Sequence, residues 1–241
     1  MAKFIVVGGV AGGATAATRL RRLDERAEIV LFEKGEHISF GNCGLPYYIG
    51  GTISERKNLI SQDPQGMRER FNVDARVNSE VISIDRAAKK VVVRDLVAQK
   101  EYEESYDKLI LSPGGSPFKP PGPGMDSPRV FTLRNIPDAD KIKDYIRNNS
   151  PKSAAIVGAG FIGLELAENL RTLNLEVNVF QLSSQVLPIL DQDMVPEVHL
   201  SLKRNGINLF LKNSVEQIAE GPDGRLALKL KEGTLVTDLV V

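Results

Sequence analysis

The feature that most limits how this chain can fold is one pattern written twice: an apolar strand, a glycine-rich turn, a helix and a second apolar strand. The first copy reads Phe4-Ile5-Val6-Val7, then Gly8-Gly9-Val10-Ala11-Gly12-Gly13, a helix to about Leu23, and Glu28-Ile29-Val30-Leu31-Phe32. The second reads Ser153-Ala154-Ala155-Ile156-Val157, then Gly158-Ala159-Gly160-Phe161-Ile162-Gly163, a helix to about Leu173, and Glu176-Val177-Asn178-Val179-Phe180. Near-continuous apolar strands on either side of a helix predict parallel strands buried on both faces, which is a βαβ unit.

Between the copies lie shorter alternating runs. Val81-Ile82-Ser83-Ile84 and Val91-Val92-Val93 flank the polar stretch Asp85 to Lys90 and predict a hairpin. Lys108-Leu109-Ile110-Leu111 predicts a strand that ends in Ser112-Pro113-Gly114-Gly115, and from Pro113 to Pro123 the chain is dense in proline and glycine. After Gly206, strands are expected over Ile207 to Leu211, Leu226 to Leu230 and Leu235 to Val241. The class that follows is α/β: two Rossmann-like, three-layer dinucleotide-binding domains, each with an antiparallel strand excursion. Residues 1–115 are expected to form a first nucleotide-binding domain, 116–150 a crossover linker and helix, and 151–241 a second nucleotide-binding domain. A terminal strand in this architecture normally leads into a loop and helix, so the sequence reads as the front part of a longer chain.

Bulk properties narrow the partners. Thirty-one basic and 31 acidic residues give a formal charge of 0, so no overall field favours nucleic acid or a membrane surface. No apolar run approaches the roughly 18–20 residues of a membrane span, and no leader-like segment opens the chain. His37 and His199 stand alone and there is a single cysteine, so neither a disulfide framework nor a zinc-ligand set is expected. The default is a cytoplasmic protein without a metal.

Gly158, Gly160 and Gly163 carry the Gly-x-Gly-x-x-Gly spacing between a strand and a helix, the context that makes this loose motif informative. The glycines allow a tight turn, backbone approach to a pyrophosphate and close helix packing, while Phe161 and Ile162 open the helix whose N-terminus offers donors. The strand-end position expected to meet the ribose holds Gln181, neither a carboxylate nor an arginine, which favours NADH over NADPH only mildly. In the first turn, Gly8, Gly9, Ala11, Gly12 and Gly13 follow a strand, but Val10 occupies the middle-glycine position. Glu33, with Lys34 after it, ends the next strand and is placed for an adenosine ribose.

Cys43 lies in Ser39-Phe40-Gly41-Asn42-Cys43-Gly44-Leu45-Pro46-Tyr47-Tyr48. A lone cysteine is most often a small buried hydrophobe. Pro46 suits the first turn of a helix, however, which would put Cys43 at or just before a helix N-terminus, an environment that favours thiolate chemistry. Gly44 leaves room beside the sulfur for a flat ring. Thr15, Arg19 and Arg22 share a face of the first helix and could grip phosphates, although a merely solvated face fits the same pattern.

The Cys43 segment and the Val6 to Gly13 opening resemble the single-cysteine branch of the pyridine nucleotide-disulfide oxidoreductases, notably coenzyme A-disulfide reductases and NADH-dependent persulfide or polysulfide reductases. The resemblance runs over essentially the whole chain, and that branch tolerates a non-glycine at Val10. It implies FAD in the first domain, NADH or NADPH in the second, and Cys43 as the redox centre. It further implies that Ser112, Pro113 and Gly114 form the turn returning to the flavin, with Val81 and Arg134 as flavin contacts. Glu165 would meet the nicotinamide side, and Thr15, Arg19, Arg22, Ser39 and Asn42 would hold coenzyme A disulfide or a persulfide. In that branch a homodimer completes the site. The resemblance leaves two alternatives open: an NADH oxidase or peroxidase cycling through a cysteine sulfenic acid, and a non-catalytic nucleotide-binding redox sensor.

Overall fold

A computed structural model describes residues 1–221 and 223–241. In chain order the elements are β1 (Lys3–Val7), α1 (Ala11–Leu23), β2 (Glu28–Phe32), α2 (Leu45–Gly50), α3 (Pro64–Phe71), β3 (Asp74–Arg76), β4 (Ser79–Asp85), β5 (Lys90–Asp95), β6 (Lys100–Ser105) and β7 (Lys108–Leu111). They continue as α4 (Ile136–Asn149), β8 (Ser153–Val157), α5 (Phe161–Thr172), β9 (Glu176–Gln181), α6 (Pro196–Arg204), β10 (Ile207–Leu211), β11 (Val215–Glu220), β12 (Leu226–Leu230), β13 (Thr234–Thr237) and β14 (Leu239–Val240). Two compact units result, one of residues 1–41 and 57–115, the other of 42–56 and 116–241. The segment Asn42–Arg56, expected within a domain of residues 1–115, thus packs with the second unit, as does the 116–150 stretch that contains α4.

The first unit is built on a parallel sheet in the order β3-β2-β1-β7. Successive side chains of its strands divide between two cores, as the period of 2 requires. Val6, Ile29 and Leu31 pack with Ala17 of α1 and Met67 of α3. Ile5, Val30 and Phe32 face the other way, against Val91 and Val93 of the antiparallel sheet β4-β5-β6. The helices, the parallel sheet and the antiparallel sheet are therefore three layers, and the expected hairpin is the β4–β5 pair.

The second unit repeats the plan, with parallel order β10-β9-β8-β14 and an antiparallel sheet β11-β12-β13. Ala155, Phe180 and Val240 pack against Val215, Ile218, Leu226 and Leu228. In both units the strand order reverses beside the first strand, β1 or β8. The crevice beyond the carboxyl ends of strands at such a reversal is where open α/β sheets take ligands.

The polar edge of the first unit is held by charge. Arg76 binds Asp74 and Glu104, lies over the Phe32 ring at 5.4 Å, and shares Glu104 with Lys3. Burial alone would raise both carboxyls. Hydrogen bonds from Lys3 and Arg76 to Glu104, and from Arg76 and Arg68 to Asp74, outweigh it and hold them below their ordinary values of 4.5 and 3.8. Groups with lowered folded pKa stabilise the fold above the unfolded pKa and lose that contribution as pH falls through the folded value. Glu104→Gln should accordingly lower the Tm at neutral pH, with the gap from wild type closing below about pH 4; a gap independent of pH in thermal melts would contradict this origin.

Candidate functional site

The first glycine turn joins β1 to α1. A Cβ on Gly13 would overlap the Gly8 carbonyl oxygen, so α1 can approach β1 this closely only with glycine there. Gly8 has φ +93 and lies against the Ser112 carbonyl, which fixes the Ser112-Pro113 turn beside it; Ser112 N also donates to Val7 O at 2.7 Å. From the other side the Glu33 carboxylate accepts from Gly9 N (2.7 Å) and Gly35 N (2.8 Å), bracing the turn from the end of β2. α1 has no side-chain cap and no acid in its first turn. Its N-terminal N–H groups and dipole are thus free to face an anion. Lys34 is drawn instead to Glu80 at 2.8 Å, and Val81 pairs with Val93 beside a bulge in β4 while packing against the core.

A groove of about 290 Å3 runs along α1 within the same unit. Thr15 and Ser39 line it, and so do Val10, Thr18, Gln62 and Phe71. Ser39, in the left-handed region at φ 49, donates its N–H to Gly9 O and accepts from Ser61 N. Arg21 is consumed by structure, its guanidinium donating to the carbonyls of Phe71, Asp24, Glu25, Ala27 and Asn72. Arg19 and Arg22 are exposed, and neither bonds a protein group among the described residues. They are the cations of this helix left for a ligand or for solvent.

The second turn has the same construction. Gly158 takes φ +116, a Cβ on Gly163 would overlap its carbonyl, and α5 again starts without a side-chain cap or a first-turn acid. Gly160 faces open space. The brace is now an amide: Gln181 Oε1 accepts from Ala159 N at 2.8 Å, and its Nε2 donates to Ser183 Oγ at 2.7 Å. An apolar groove of about 560 Å3 adjoins the turn, lined by Gly160, Phe161, Ile162, Leu133, Phe118 and Val241 among others. Phe161 and Ile162 are 60% and 56% exposed and lie side by side on the wall of this groove. Glu165 sits on α5 one turn in, its carbonyl accepting from the buried Asn169. Arg134 donates its backbone N–H to Asp138, just ahead of the α4 capping box.

Cys43 is exposed, in the short 3-10 turn Asn42–Gly44 that leads into α2 with Pro46 in its first turn. The Oδ1 of the neighbouring Asn42 is buried and meets no donor among the described residues, an acceptor that a bound molecule would satisfy. α2 is held firmly. Lys143 of α4 donates to Tyr48 O at 2.7 Å with its ammonium 3.8 Å from the Tyr48 ring centroid. Tyr48 Oη bonds Asp140, which also binds Arg56 at 2.9 Å. Burial raises Tyr48 and lowers Lys143. At the other end of α2, Gly50 lies so close to the Asn169 side chain of α5 that a Cβ would overlap it.

Each unit thus carries a nucleotide-type turn, and the second also carries an exposed cysteine just ahead of a helix. The family model for pyridine nucleotide-disulphide oxidoreductases matches residues 2–241. The chain belongs to that family. Within it, the chain is 44% identical over 194 residues to a coenzyme A disulfide reductase of Staphylococcus haemolyticus (strain JCSC1435), covering 80% of this chain and 43% of that one. The solved structure of reduced Bacillus anthracis CoADR-RHD is similar with TM-score 0.94 and 45% identity over 99% of this chain and 43% of that one. A NAD-dependent persulfide reductase from A. fulgidus gives TM-score 0.92 and 36% identity, over 99% of this chain and 44% of that one. The chain thus spans under half the length of each of these relatives.

Sequence reasoning did not find Thr18, Ser61, Gln62 or Phe71 as groove residues, nor the Tyr48–Asp140–Lys143 set; each contact is long-range and leaves no local signal. The α2 clamp makes a definite prediction. Lys143→Met should cost about 1.5–3 kcal/mol, the range for a hydrogen bond to a charged group, and speed alkylation of Cys43 by iodoacetamide as the start of α2 loosens. Unaltered urea stability and alkylation rate would show the clamp to be inert.

Proposed function

We propose that the chain is the nucleotide- and cysteine-bearing part of an FAD-dependent NAD(P)H:disulfide oxidoreductase that reduces coenzyme A disulfide or a coenzyme A persulfide through Cys43. The observation that carries the reading is the exposure of the chain's one thiol at the head of a clamped helix, where a structural cysteine would be buried. The similarity to coenzyme A disulfide and persulfide reductases supports the choice of substrate.

The residues divide the work. The first turn, with Gly8 to Gly13, Glu33 and the Ser112-Pro113-Gly114 loop, holds FAD, its uncapped helix facing the pyrophosphate. Val81 and Arg134 belong to the same cofactor in this reading. The second turn holds NADH or NADPH, and the apolar groove beside Phe161 and Ile162 shields the nicotinamide from water with Glu165 at its edge. Held there, FAD would supply a two-electron relay between a pyridine nucleotide and sulfur. Thr15, Ser39 and Asn42 bind the neutral arm of the substrate, and Arg19 and Arg22 its phosphates.

Cys43 attacks as thiolate, forming a bond to one substrate sulfur while the substrate S–S bond breaks and one thiolate leaves. Two electrons and a proton then cleave the mixed disulfide, release the second thiol and restore Cys43. A single protein cysteine suffices because the partner sulfur arrives with the substrate. The enzyme is cytoplasmic in this reading and a homodimer in its longer parent, with no nucleic acid or membrane as partner; balanced charge supports this, as does the lack, among the described residues, of a helix long and apolar enough to cross a membrane.

Cys43→Ser, made in the protein that carries this chain, should abolish NAD(P)H-dependent thiol release from coenzyme A disulfide while the flavin spectrum is kept. Retained turnover would overturn the proposal, and oxygen or peroxide consumption without thiol release would move it to the oxidases.

A further inference from the structure

The two glycine turns are braced by the same geometry with opposite charge. In the first, a carboxylate oxygen of Glu33 accepts from the N–H of the turn's second residue, Gly9; in the second, the amide oxygen of Gln181 accepts from that of Ala159. Because Oε1 must face this donor, the orientation of the amide is set, and Nε2 is spent on Ser183 Oγ. The Ser183 hydroxyl in turn donates to Gln185 O at 2.7 Å. From Leu182 to Leu190 the chain beyond β9 contains no charged residue, neither an acid to repel a phosphate nor an arginine to demand one. Lys212, whose backbone N–H donates to Ser183 O at 3.0 Å, is exposed and has no ion-pair partner among the described residues.

The end of this strand is where the adenosine ribose of a dinucleotide lies, so its charge decides whether a 2′-phosphate is tolerated. We propose that the second turn takes NADH and NADPH alike, with Gln181 as the specificity-determining residue that makes it indifferent to the 2′-phosphate. The inference rests on reading this turn as the pyridine-nucleotide site. A hydroxyl can hydrogen-bond the neutral collar, and a phosphate meets no like charge from Leu182 to Leu190.

The flavin-loaded protein should be titrated calorimetrically with NAD+ and NADP+, which bind without reducing it. Dissociation constants within about tenfold of each other are expected for the wild type, tenfold being the effect of about 1.4 kcal/mol. Gln181→Glu keeps an acceptor for Ala159 N, as Glu33 does for Gly9, and adds the missing charge. It should raise the NADP+ to NAD+ ratio of dissociation constants by about tenfold or more. A wild-type preference above about tenfold in either direction, or a ratio unmoved by Gln181→Glu, would overturn the proposal while leaving the turn a nucleotide site. Binding of neither nucleotide would overturn that reading and this inference with it.

Discussion

Helix and strand meet in each unit with no room for a side chain between them, at Gly13 over the Gly8 carbonyl and at Gly163 over that of Gly158. Both glycine turns depend on that contact. It sets the first turns of α1 and α5 directly beyond the ends of β1 and β8, where the sheet order reverses, and leaves their N-terminal N–H groups without side-chain caps. Those donors would be a liability in a helix that bound nothing. The strand-end braces Glu33 and Gln181 hold the turn residues in place while the open side remains available.

The cysteine is positioned by different means. Its helix α2 is short, and its hold comes from partners distant in sequence: Asp140 and Lys143 of α4 on one side, Asn169 of α5 on the other. Asn169 also donates to the Glu165 carbonyl. The element that follows Cys43 is therefore packed against the helix that opens the second nucleotide turn. On the proposed reading, the thiol and the pyridine-nucleotide turn sit on helices that pack directly together.

Much of this was legible in the sequence where it was written locally. The strand–turn–helix–strand units follow from apolar runs and glycine spacing, and β8, β10, β12 and the end of α1 lie where those runs place them. Three strands were not foreseen. β6 carries Lys100, Glu101, Glu103 and Glu104, and pairs through Arg94–Glu101 and Lys90–Glu103 contacts rather than through an apolar face. β3 is three residues at a charged edge, and β11 alternates too weakly to stand apart from its flanks. The last apolar stretch divides into β13, paired with β12, and β14, paired with β8, a switch of sheets that no local pattern announces. The departure of Asn42–Arg56 to the second unit has the same origin, since a helix of six residues has too little sequence to say what it packs on. The place of Cys43 just ahead of a helix was legible from Pro46; its clamp and the groove residues Gln62 and Phe71 were not.

The central claim is that the two electrons of a pyridine nucleotide reach the mixed disulfide on Cys43 and cleave it. The direct measurement is anaerobic: Cys43 is loaded as its mixed disulfide with coenzyme A in the flavin-containing protein, NADH is added in steps, and free coenzyme A is counted. The account predicts one coenzyme A released per NADH oxidised, with one new protein thiol. Oxidation of NADH with no release of coenzyme A would contradict it.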